Sequence, residues 1–227
     1  MFLVLPRAFS KRKNKIMKIS EPVIEDGIIA GNLYDKYGAR NPIARYLMKG
    51  FYDSLNKLVT VSGATEIHEV GCGEGNLCIK LAKQNKSVRA SDVSKKIIDK
   101  ARAKAEADKV NVVFKGASIY DLKPATDSAE LIICCEVLEH LERPEEALLV
   151  LTNLAKPYAI ISVPREPIWR ILNFIRGKYM ADLGNTPGHI QHWSKEGFLR
   201  FLSSRFDVVK VLTPFPWTMV LCRSKKR

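Results

Sequence analysis

The stretch Glu69-Val70-Gly71-Cys72-Gly73-Glu74-Gly75-Asn76-Leu77 constrains this chain most. An apolar strand pattern runs into an acid, then three glycines at alternate positions, then a helical pattern. Glycine lets a backbone turn sharply and approach a ligand closely. The helix that follows aims its unbonded N–H groups at the same turn. A nucleotide-like ligand is expected there. The spacing is not the G-x-G-x-x-G of dinucleotide-binding turns, because the third glycine comes one residue early, at Gly75.

Downstream, strand and helix patterns alternate. Strands are expected over 66–70, 87–91, 110–115, 129–135 and 158–163, with helices over 76–84, 94–107 and 144–154. Asn41-Pro42 starts an earlier helix, since Asn caps and Pro suits the first helical position. Its apolar residues Ile43, Leu47, Phe51, Leu55 and Leu58 recur at helical spacing. After a helix capped by Ser194, strands over 206–212 and 217–222 are joined by a turn so short that they must pair antiparallel. The expected fold is α/β: a doubly wound, mostly parallel seven-stranded sheet closed by an antiparallel C-terminal pair. The chain divides into a basic, disordered segment at 1–20, an N-terminal lid and helix at 21–62, and a core at 63–227 with an insert at 164–193.

The E-x-G-x-G-x-G turn and this order of elements resemble the class I S-adenosylmethionine (SAM)-dependent methyltransferases over roughly residues 41–222, and the branch that works in ubiquinone synthesis in particular. The resemblance implies SAM as cofactor. It implies that Glu69 shapes the turn and that the backbone around Gly71, Cys72, Gly73 and Gly75 holds the methionine part. Asp92, next to Val93 at the tip of the second strand, matches the acid that accepts both ribose hydroxyls, with Ser94 left to cap the helix. Ser118 stands where many relatives carry an acid for the adenine amino group, and Ile119 is expected to cover the adenine face. Tyr37, in the lid sequence, is expected beside the sulfonium, whose charge favours an aromatic face.

The fourth strand runs into Glu136-Val137-Leu138-Glu139-His140. Ligands of open sheets lie beyond the carboxyl ends of strands. A helical turn there would bring Glu136 against both Glu139 and His140. Three roles stay open for this catalytic set: shaping the cofactor pocket, general base toward an acceptor hydroxyl, or holding Mg2+, which would lower that hydroxyl's pKa. The metal arrangement resembles ubiquinone-pathway O-methyltransferases and small-RNA 2′-O-methyltransferases; the latter add a later histidine, for which His189 and His192 are available.

The insert at 164–193 is expected to cover the acceptor, with Trp169, His189 and His192 as substrate-binding residues. Ile168, Ile171, Leu172 and Ile175 share a helical face with Arg170, Arg176 and Lys178 around it. Such an element serves either as ordinary core or as contact with a lipid-like substrate or an anionic membrane surface.

Net charge is +13, much of it at the two ends. Met17 is an alternative start; removing 1–16 takes five of those charges and leaves a basic chain. An anionic partner is favoured. No stretch approaches a membrane span. The five cysteines form no C-x-x-C pair and are expected to be reduced and mostly buried, in a cytoplasmic protein with peripheral membrane contact as an option. The reading is methyl transfer to a small or lipid-like acceptor, at oxygen. The alternatives are a metal-assisted RNA 2′-O-methyltransferase, disfavoured because no aromatic–basic RNA-binding module is visible, and a SAM-binding protein without catalysis.

Overall fold

The structure is a computed structural model that describes residues 23–25, 28–30, 41–177 and 179–225. The expectations for residues 1–20 and for Tyr37 fall outside them.

Strands β1 (Val23–Glu25) and β2 (Ile28–Ala30) form a short antiparallel pair. Helix α1 (Pro42–Ser62) begins where the Asn41 side chain accepts from the Ile43 N–H and ends at Gly63, whose φ of 68° is left-handed. The alternating core follows: β3 (Glu66–Val70), α2 (Asn76–Ala82), β4 (Ser87–Asp92), α3 (Lys95–Ala107), β5 (Val113–Gly116), α4 (Pro124–Asp127), β6 (Ala129–Cys135), α5 (Pro144–Leu154) and β7 (Ala155–Pro164). The insert carries α6 (Ile168–Ile175), and α7 (Lys195–Ser203), β8 (Phe206–Leu212) and β9 (Trp217–Ser224) close the chain.

The seven-stranded sheet has the order β5-β4-β3-β6-β7-β9-β8. Pairs among β3 to β7 are parallel, and β9 pairs antiparallel with both β7 and β8. This is the expected fold. The chain winds outward from β3 through β4 to β5, then returns to lay β6 on the other side of β3. That reversal places a crevice at the carboxyl ends of β3 and β6.

Alternation along β6 shows why the sheet needs helices on both faces. Leu131, Ile133 and Cys135 pack with Phe51, Leu55 and Leu58 of α1, while Ile132 and Cys134 pack with Leu148 and Leu151 of α5 and Phe198 of α7. All five cysteines are free and buried. Several bounds shift. The third core strand starts at Val113 rather than 110, because the Val110 N–H bonds the Ala105 carbonyl and ends α3 instead. Strand β7 starts directly at the end of α5, so 155–157 join the sheet.

Candidate functional site

A cavity of about 770 Å³ opens over the crevice. One end is walled by the glycine turn, Asp92, Val93 and 117–120; the other by Glu136, His140, Trp169, Leu172, Asn173, Arg176, His189 and Trp217, with Ile43, Ala44, Leu47 and Met48 of α1 along the side.

The turn is held almost entirely through backbone. The Gly71 and Cys72 N–H groups donate to the Ser91 carbonyl at 2.8 and 3.0 Å. The Gly73 N–H donates to Asp92 Oδ2 at 2.9 Å, and the Ser94 N–H to Oδ1 at 3.1 Å. Ser94 caps α3, as expected, accepting from the Ile97 N–H. Asp92 therefore ties the turn to the tip of β4 while lining the cavity.

Gly71 has φ 76°, and a Cβ there would lie 2.3 Å from Val137 Cγ2, so the turn passes the β6 loop with no space for a side chain. Gly75 also has φ 76°, but it caps α2 and faces Ala101 and Ile79. It does not line the cavity, which corrects its assignment to the cofactor set; its smallness serves α2–α3 packing.

Glu69 sits beneath the turn and accepts from the Cys78 N–H at 2.8 Å. Burial pushes its carboxyl up to about 8, against which that hydrogen bond works.

His68, which the sequence reading passed over, is a second prop. Its Nδ1–H donates to the Asp127 carbonyl at 2.7 Å, and its Nε2 lies 3.0 Å from Ser91 Oγ. Burial holds its pKa below the usual histidine value. A histidine on a strand, one residue ahead of the Glu69 that opens the motif and outside the motif itself, carries no signal of this kind.

At the far side of the turn Ser118 caps a 3-10 turn over Ile119–Asp121, accepting from the Tyr120 N–H, and Ser118, Ile119 and Tyr120 all line the cavity. Arg143 lies 4.6 Å from the Tyr120 ring centroid and stiffens that wall.

The acid–histidine cluster differs from expectation. No helical turn starts at Glu136. Its φ is 61°, and the 3-10 turn covers only Leu138–His140. The Glu136 carboxylate turns away, accepting from Trp217 Nε1–H at 2.6 Å and from the Ser162 hydroxyl at 3.2 Å. It is not grouped with Glu139 and His140. The insert supplies the third member: Glu139, His140 and His189 each bring a ligand atom within 4.8 Å of the others. The proposed metal set Glu136, Glu139 and His140 is corrected accordingly.

Backbone bonds pin that junction. The Ile190 and Gln191 N–H groups donate to the Glu139 carbonyl at 2.9 and 3.0 Å, and His140 Nδ1 lies 2.8 Å from the Gly188 carbonyl. A carbonyl only accepts, so Nδ1 carries the proton and neutral His140 keeps Nε2 as its basic nitrogen. Glu139 itself is 1% exposed and lies behind the cavity wall.

The two ends of the insert are stapled at its base. Arg165 bridges to Trp193, and the Glu166 N–H donates to the Trp193 carbonyl. His192 belongs here: its Nδ1 lies 3.7 Å from Glu166 Oε1, and it does not line the cavity. Its substrate-binding assignment is corrected to a place at the base of the insert. His189 and Trp169 do line the cavity, their rings stacked with centroids 6.1 Å apart.

Residues 67–157 match the family described as "Methyltransferase domain". The chain is 33% identical over 147 residues to the "Ubiquinone biosynthesis O-methyltransferase" of Rickettsia canadensis, covering 63% of this chain and 58% of that protein. It is 26% identical over 163 residues to the protein of the same name from Coxiella burnetii, covering 65% and 68%. The chain thus spans less than two thirds of the first of these relatives. Among solved structures it resembles the magnesium protoporphyrin IX methyltransferase of Synechocystis PCC 6803 with bound SAH, at 20% identity and a TM-score of 0.65, covering 83% of this chain and 90% of that one.

Proposed function

We propose that this chain, a member of the class I SAM-dependent methyltransferase superfamily, transfers the methyl group of SAM to a hydroxyl of a small or lipid-like acceptor. One observation carries the reading: a single cavity joins the glycine turn and Asp92 to a wall of His140, Trp169 and His189. Cofactor and acceptor would share that space with no barrier between them. The curated relatives are named for O-methylation, which supports oxygen as the acceptor atom.

The transfer is an in-line displacement. The acceptor oxygen forms a bond to the methyl carbon as the carbon–sulfur bond breaks and its electron pair returns to sulfur, leaving S-adenosylhomocysteine (SAH). Positioning supplies much of the rate. The acceptor's proton goes to His140 Nε2, whose basicity follows from the Nδ1–H bond to Gly188. Glu136, its two carboxyl oxygens bonded to Trp217 and Ser162, lines the same cavity and keeps Trp217 in place along its wall.

Mg2+ does not suit Glu139, His140 and His189. It prefers oxygen ligands, and this set offers two imidazoles for one carboxylate. No step is therefore routed through that ion. Calorimetry with SAM and SAH tests the cofactor reading, and labelled methyl transfer to phenolic acceptors tests the reaction. Turnover is expected to survive exhaustive chelation. His140→Asn is expected to lower kcat by about 100-fold or more while SAH affinity holds. Folded protein that binds neither SAM nor SAH would end the proposal.

A second surface bears on partners. Ile171, Phe174 and Ile175 of α6 are exposed, at 52, 46 and 74%, with one basic residue, Arg170, on the same helix. That composition suits peripheral contact with an anionic membrane. No helix among the described residues is long and apolar enough to cross one.

A further inference from the structure

We propose that Arg176 forms an anion subsite of the cavity and that the methyl acceptor carries a carboxylate; the proposal deepens the transferase reading and rests on it. Helix α6 splits its residues between two faces. Trp169, Leu172, Asn173 and Arg176, at spacings of three, four and seven, all line the cavity. Ile171, Phe174 and Ile175 face away and are exposed.

The inward stripe contains a polar relay in a helix whose other polar residue is Arg170. Trp169 Nε1–H donates to Thr186 Oγ1 at 2.9 Å. Asn173 Nδ2 donates to the Gly184 carbonyl at 3.0 Å and to Thr186 Oγ1 at 3.1 Å. With its amide so fixed, Asn173 must turn Oδ1 the other way, where it accepts from Arg176 Nη2 at 2.6 Å. Arg176 Nε donates to the Leu172 carbonyl at 3.1 Å.

Asn173 is 2% exposed, and burying an amide is costly unless its bonds are made. The relay's result is an aromatic plane and a guanidinium held in fixed relation on one cavity wall.

Charge completes the argument. Among the described residues no carboxylate lies within 4.0 Å of the Arg176 guanidinium, which is exposed where it lines the cavity. Two of its five N–H groups are used, so Nη1 and its fork remain for a ligand. The other lining arginine, Arg143, sits against Tyr120 at the opposite end. Among the described residues no lysine lines the cavity. One guanidinium with no second cation from those residues beside it suits a monoanionic carboxylate better than a phosphate dianion.

The side chain folds back one turn to reach Leu172 and Asn173, so the charge lies about 5 Å along the axis from Trp169.

The test uses SAH-loaded protein titrated with 3,4-dihydroxybenzoate and with catechol, which differ only in the carboxylate. The acid is expected to bind about tenfold tighter or more. R176Q should bring the two affinities together while SAH affinity stays at the wild-type value, and R176K should keep part of the preference. Equal affinity in the wild type, a preference that survives R176Q, or binding of neither probe to SAH-loaded protein overturns the proposal. Failure of SAH itself to bind overturns the transferase reading instead. If R176Q lowers binding to phosphatidylglycerol vesicles but leaves the acid-to-catechol ratio intact, the guanidinium serves a lipid surface and the acceptor proposal falls.

Discussion

The two ends of the cavity are built from different materials. The turn end is backbone at the tips of parallel strands: carbonyls and N–H groups of Gly71, Cys72, Gly73 and Ser91, locked by one carboxylate, Asp92. The insert end is side chain on side chain: Trp169 on Thr186, Asn173 on Arg176, His189 beside His140. A backbone site tolerates little change in the chain that forms it and needs few particular side chains. A side-chain site can be rewritten residue by residue while its supporting helix stays put. One scaffold can thus keep its cofactor end and vary its acceptor end.

Glycines give the largest contrast. Gly71→Ala adds a Cβ 2.3 Å from Val137 at a left-handed residue, whereas Gly177→Ala, also left-handed at φ 65°, meets nothing within 4 Å. The first is expected to cost about 3 kcal/mol or more and to abolish measurable SAH binding; the second should cost about 1 kcal/mol and leave SAH affinity intact. Urea melts with SAH titrations check both. Similar costs would mean that the turn end is no more constrained than the insert.

Asp92 comes next. Asp92→Ala removes the acceptor for the Gly73 and Ser94 N–H groups as well as the expected ribose contact. SAM affinity should fall by about 1.5–3 kcal/mol, roughly 10- to 150-fold, as hydrogen bonds to a charged group warrant. An unchanged dissociation constant would reduce Asp92 to a structural clamp of the turn.

Proton linkage sharpens the comparison at a third point. Glu69 has its carboxyl raised to about 8 in the folded protein against a reference of 4.5, so folding favours its protonated form. Its contribution to stability is complete below about 4.5 and is lost as pH rises through the window up to about 8. Glu69→Gln should flatten that decline between about pH 4.5 and 8. Bound SAM brings positive charge to the same end and should lower the Glu69 pKa, releasing protons near pH 7. Calorimetry in two buffers of different ionisation enthalpy reads that release, and its absence would place the cofactor's charge away from Glu69.

How legible each end was in the sequence follows from the same contrast. The alternating pattern, the glycines and Asp92 lie within one stretch, 66–94, where period and turn chemistry speak directly. The antiparallel closure was legible separately, in the short turn that joins the last two strands, while the strand order was not. What failed to show was long-range. Glu136 was expected to join Glu139 at helical spacing, but Trp217, 81 residues on, and Ser162 bind its carboxylate instead. His189 reaches His140 only because the insert folds back, and His192, three residues later, lands at the base of the insert beside Glu166. The apolar face expected on α6 was divided by the cavity on one side and solvent on the other, which no periodicity within eight residues separates. Asn173 and Arg176 read as ordinary polar positions until Thr186 and Gly184 are placed against them.

The smallest effect concerns the outer face of α6. Ile175 is 74% exposed and Ile171 52%, so replacing both by serine removes little buried area. At about 25 cal/mol per Å² of area withdrawn from water, stability should change by no more than about 0.5–1 kcal/mol, and SAH affinity not at all. Binding to anionic vesicles should nevertheless fall, and the remaining binding should weaken with salt, since exposed charges are screened over about 10 Å at 0.1 M. The inward pair Trp169 and Leu172 is the control. Serine at those two positions should instead lower methyl transfer without changing vesicle binding. If the outward variant unfolds, the face is packed against part of the protein and is not a contact surface. If the outward and inward variants lose the same function, the division of α6 into a cavity face and a surface face is wrong.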